Sequence, residues 1–121
     1  MRRFDPANKY RGLPCSYVTA CCAYDSFHCD SRAPVMPDKL KQSGYLTLND
    51  ANKYFRNIVP IRKRTIFKKG ELPRLEDFLK VNTQRCCVCV TGHFLYADGD
   101  VYWSFFDNAD DEVISVWYID S

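Results

Sequence analysis

The sequence predicts an α+β domain in which one helix near the N-terminus packs on an antiparallel β-sheet drawn from the C-terminal third. Three observations lead there. Nineteen residues free of glycine and proline follow Pro14, and β-branched and aromatic residues crowd together after Arg85. With 121 residues the chain is long enough for one core and too short for two ordinary ones, so residues 1–121 are read as a single domain.

Each element follows in order. Pro14 suits a first helical turn, where its missing N–H costs nothing. The stretch Cys15-Ser16-Tyr17-Val18-Thr19-Ala20-Cys21-Cys22-Ala23-Tyr24 is apolar around most of its circumference, as a central buried helix must be. Residues 30–38 hold Pro34 and Pro37 among polar neighbours and read as a loop. Thr47, with Asp50 three residues on, offers a capped start for a short helix over residues 51–56. Pro73 opens a third helix over 74–80, with Glu76 and Asp77 early, where the helix dipole favours acids. Between these, residues 59–67 are β-branched but broken by Pro60, which allows only short or edge strands.

Residues 86–90 form a short continuous apolar run, the pattern of a strand buried on both faces. In such a strand Cys87 and Cys89 share one face and Cys86 points to the other. Residues 92–97 and 101–106 flank Asp98-Gly99 and read as a hairpin, and residues 112–119 supply a last strand.

Apolar residues make up 46% of the chain and aromatics 15%, which excludes a mainly disordered protein. No apolar run approaches the ~20 residues of a membrane-spanning helix, and Met1-Arg2-Arg3-Phe4-Asp5-Pro6 lacks a secretory stretch. The expected setting is therefore cytoplasmic, with no membrane partner. The net charge of +2 divides unevenly: residues 1–85 carry a balance of +9 and residues 86–121 a balance of −7. The basic segment from Arg62 to Lys69, interleaved with Ile66 and Phe67, has the texture of a nucleic-acid footprint. With a pI of about 8.1, it is read instead as a solvated face balanced by the acidic end.

Seven cysteines, an odd count, cannot all pair, and a reducing compartment leaves them as packing residues, metal ligands or nucleophiles. Neither Cys21-Cys22 with Cys29 nor Cys86-Cys87 with Cys89 has the Cys-x2–4-Cys spacing of structural zinc sites, so no metal and no cofactor are expected. Cys22 packing on Cys87 or Cys89 accounts for the same residues. Cys15 differs from the rest. It stands at a helix N-terminus, where partial positive charge lowers a thiol pKa. A nucleophilic thiol also needs a base, and that base an orienting acceptor. His28 ends the same helix, roughly 20 Å away, and cannot serve. His93 begins a strand after Gly92 and is free to approach, with Asp107 or, alternatively, Asn108 placed to hold its ring. The candidate triad is Cys15, His93 and Asp107.

The order of these residues resembles the papain-like cysteine peptidase superfamily. The resemblance is carried by Gly12-Leu13-Pro14-Cys15-Ser16-Tyr17 with Ala20, by Val88-Cys89-Val90-Thr91-Gly92-His93-Phe94, and by Phe106-Asp107-Asn108. In size and spacing it is most similar to bacteriocin-processing peptidase domains that cleave after a double glycine. The resemblance implies a papain-like fold and an acyl-transfer reaction on a protein or peptide substrate. Hydrolysis of a peptide or isopeptide bond leads, with deamidation and transamidation open to the same triad. The family's oxyanion glutamine is replaced here by Lys9, with Asn8 beside it, and Asn8 with the Cys15 N–H takes that role in this reading. One geometric tension accompanies it. A two-residue Asp98-Gly99 turn pairs His93 with Ser104 and leaves Asp107 out of register, which an odd-length loop or a bulge near Phe105-Phe106 would correct. Two alternatives stand beside the enzyme: a catalytically silent papain-like domain that binds a protein partner, and a small nucleic-acid-binding protein using the basic segment.

Overall fold

The computed structural model describes residues 1–29 and 32–120. Among them lie β1 (Arg2–Phe4), α1 (Cys15–His28), α2 (Asp38–Ser43), α3 (Leu48–Ile58), β2 (Ile61–Ile66), α4 (Leu75–Val81), β3 (Arg85–Val90), β4 (His93–Asp98), β5 (Val101–Trp103) and β6 (Val113–Ile119). The strands form one six-stranded sheet in the order β1-β5-β4-β3-β6-β2. The fold is therefore mixed α and β, with α1 packed on β4 and β3 as expected.

Two features correct the expected sheet. It is not purely C-terminal: β2 takes the edge place that residues 59–67 allow, pairing with β6, and the unexpected β1 pairs with β5 at the other edge. Nor is it purely antiparallel, because β1 runs parallel to β5. Two further elements lie outside the sequence expectations, a 3-10 turn over Asn8–Tyr10 and the short helix α2, which begins inside the expected proline loop. The rest of that loop includes positions 30 and 31, outside the described residues.

The sheet is covered on both faces. On one side Tyr17, Val18, Ala20 and Cys21 of α1, with Phe55 of α3, pack against Cys87, Cys89, Phe94, Tyr96 and Trp117. On the other, Leu75, Phe78 and Leu79 of α4 pack against Cys86, Val88, Val90, Leu95 and Val116. The alternation along β3 thus falls as its sequence predicts. A strand walled in on both faces has no reason to carry polar residues, which explains the apolar run at 86–90. Phe55 and Trp117 are fully buried and meet edge to face at 5.0 Å, and each contributes about 1.5–3 kcal/mol of burial to joining α3 to the sheet. The capped start predicted at Thr47 is present: its Oγ1 accepts from Asp50 N at 3.2 Å and donates to Asp50 Oδ2 at 3.0 Å.

Candidate active site

The start of α1 is placed beside the β3–β4 hairpin. Val90 and His93 pair across a two-residue turn, Thr91-Gly92, in which Gly92 adopts φ 75. A left-handed residue at that position closes the turn tightly, and glycine does so without strain. His93 becomes the first residue of β4 as a result. Cys15 becomes the first residue of α1 because Pro14, at φ −56, ends the extended chain.

Both residues line one cleft of about 290 Å3. Its remaining wall comes from β3 and from the segment following α2, including Tyr45, Leu46 and Leu48. Tyr45 is 66% exposed and Leu48 37%, so the rim is apolar and open to solvent. A larger hollow of about 780 Å3 lies at the other end of α1 beside His28 and Tyr54, and Cys15 and His93 are not part of its lining. The His28 ring contacts the Ile58 carbonyl there at 3.2 Å, so it serves packing between α1 and α3.

The Cys15 sulfur accepts the Phe94 N–H at 3.4 Å. The N–H groups of Ser16 and of Cys15 itself also favour its thiolate, as a helix N-terminus should. They do not prevail. Burial is the larger effect and pushes the Cys15 thiol above its ordinary value, contrary to the lowering expected from position alone. Burial likewise pushes the His93 imidazole below its ordinary 6.5, and the nearby Asp111 carboxylate only partly offsets it. Both shifts favour the neutral form of the group.

Sequence reasoning placed the wrong residue on the histidine. Asp107 is exposed, and its Oδ1 accepts from the Tyr102 hydroxyl at 3.3 Å and from Ala109 N at 3.0 Å, so it builds the turn after β5. The residue at the His93 ring is Ser104, whose Oγ lies 3.2 Å from Nε2. The alternative orienter, Asn108, stands one bond further back and accepts the Ser104 hydroxyl at 2.6 Å. The signal for Ser104 was present in the hairpin parity that set it opposite His93. Phe106 adds an edge-on ring contact to His93 at 5.4 Å and 88°.

Asn8 is exposed in its 3-10 turn, where its Oδ1 accepts from Arg11 Nε at 3.2 Å, and it does not line the cleft. The N–H groups that act on the Cys15 sulfur are those of the Cys15, Ser16 and Phe94 backbone. Cys22 packs in the same core as Cys87 and Cys89, as read from the sequence, and all seven cysteines are free thiols. No group of three or more His, Cys, Asp or Glu among the described residues could hold a metal ion. Among the same residues, no helix is long and apolar enough to cross a membrane.

Comparison with protein-family models, curated proteins and solved structures finds no match.

Proposed function

We propose that this chain is an acyl-transfer enzyme of the papain-like kind, with Cys15 as nucleophile and His93 as base, acting on a peptide or isopeptide bond. The observation that carries the proposal is that Cys15, at a helix start where three backbone N–H groups favour its thiolate, and His93 both line one apolar cleft. In the reaction His93 removes the thiol proton as the sulfur attacks the carbonyl carbon. The C–S bond forms, the backbone N–H groups hold the oxyanion, and His93 returns the proton to the departing amine. Water then attacks the thioester, giving up a proton to His93, and releases the acid and the free thiol. Burial favours the neutral form of both groups, so in this reading proton removal accompanies attack.

One observation favours a second reading, a silent domain that binds a protein partner: burial holds Cys15 protonated and the amide expected at the oxyanion lies elsewhere. Acylation separates the two. An activated acyl ester is expected to form a thioester on Cys15 at pH 7, detected by intact mass and peptide mapping, and His93→Ala is expected to slow it about 10²–10⁴-fold. Modification of Cys15 no faster than of the exposed Cys29 in the same chain would favour the silent domain.

A further inference from the structure

We propose that Ser104, Asn108 and Asp111 form a positioning relay that fixes His93 as the tautomer protonated on Nε2, leaving the Nδ1 lone pair as the base. The inference rests on the role given to His93 above and deepens it.

The direction of every bond in the relay follows from what each group can donate. A carboxylate only accepts, so the Asn108 atom 2.8 Å from Asp111 Oδ2 is its amide nitrogen. That leaves Asn108 Oδ1 turned toward Ser104. This oxygen also only accepts, so the Ser104 hydroxyl proton is committed to it across 2.6 Å. A hydroxyl has one proton and two lone pairs. One lone pair of Ser104 receives the Phe106 N–H at 3.2 Å, and the other faces His93 Nε2 at 3.2 Å. With its proton spent, Ser104 has nothing to donate to the ring, so Nε2 carries the hydrogen. A neutral imidazole carries only one, and Nδ1 is therefore bare.

The relay is shielded where a wrong choice would cost most. Ser104 is 3% exposed and Asn108 5%, so no bulk water can take over a misdirected bond. The opposite tautomer would set the Nε2 lone pair against a filled Ser104 lone pair and leave that acceptor without a donor. Asp111 itself is only partly buried and reaches the ring through two other residues, so it positions and does not react.

Nitrogen-15 spectra of the two histidine rings, assigned with a His28→Gln variant, test this without any activity. Above pH 7 the expected His93 pattern is a protonated Nε2 and a bare Nδ1. Asp111→Asn retains an oxygen for the Asn108 amide and is expected to keep that pattern. Asp111→Ala lets the amide turn, and averaged shifts from two tautomers are expected, with acylation of Cys15 slowed about tenfold or more. A protonated Nδ1 in the unaltered protein overturns the relay. So do unaltered nitrogen shifts in Asp111→Ala, provided its amide spectrum is that of the folded protein. The predicted tautomer without acylation would instead leave the relay standing and defeat the enzymatic reading.

Discussion

Cys15 stands at a helix N-terminus, where partial positive charge lowers a thiol pKa, and inside an apolar cleft, where burial raises it. Burial wins, and the same force lowers His93, so a pH profile should have two limbs. A base whose pKa is depressed stays unprotonated to lower pH than free histidine. Acylation of Cys15 is therefore expected to hold a plateau at neutral pH, to fall only below about 6.5, and to rise again above 9.0 as free thiolate appears. His93→Ala should lose the plateau and keep only the alkaline rise. Superimposable profiles for the two proteins would remove His93 from the chemistry. The misplacement of Asp107 belongs to this scale as well. Asp107, Asn108 and Asp111 are near neighbours in sequence, and the choice of Ser104 as the ring's partner is made by a hydrogen-bond network that no linear spacing records.

At the scale of elements, local signals identified α1, α3, α4 and the strands from Arg85 onward, because caps, prolines and apolar runs act over a few residues. Thr47 is such a signal, and Thr47→Ala should cost about 1 kcal/mol, read as a lower denaturant midpoint at unchanged m value. The hairpin register lies two residues from the one the Asp98-Gly99 turn predicts. The turn uses Gly99-Asp100, with Gly99 at φ 59 and Asp98 facing Val101, and not Asp98-Gly99. Glycine first in the turn lets the aspartate avoid the left-handed region. A shift of two leaves each residue on its own face, which is why Ser104 still meets His93. The other hairpin makes a sharper prediction. Gly92 has open space where a Cβ would stand, so Gly92→Ala meets backbone strain alone. A loss of about 1 kcal/mol or more is expected, with slower acylation because the turn holds the start of β4.

Across the whole molecule, thiols are distributed through both faces of the sheet, and their burial couples folding to alkali. Burial pushes Cys21 up to about 11 and Cys22 and Cys89 up to about 12, and it raises Cys86 and Cys87 further. An acid whose folded pKa is raised keeps its proton in the native state while the unfolded chain releases it. Stability contributed this way is complete below the unfolded value, near 9.0, and declines as pH rises toward the folded value, by up to about 1.4 kcal/mol per pH unit for each thiol. The melting temperature should be steady from pH 7 to 8.5 and fall steeply above 9, and replacing Cys86 with Ala should flatten the fall even while lowering the starting value. A melting temperature unchanged to pH 10.5 would contradict it. The basic segment also changes meaning at this scale: the Arg64 guanidinium lies 4.8 Å over the Trp117 ring and Arg62 bonds Gln84, so part of that charge is used to fasten the edge strand β2. The amino-acid sequence by itself determined the element types, the alternation of β3 and the places of Cys15 at a helix start and His93 at a strand start, since these depend on neighbours within a turn or two. Only the tertiary structure decided that β1 joins the sheet and that β2 pairs with β6, that burial outweighs the helix N-terminus at Cys15, and that Ser104 rather than Asp107 holds His93. Those outcomes turn on strand partners, solvent exclusion and proton inventory among residues far apart in the chain.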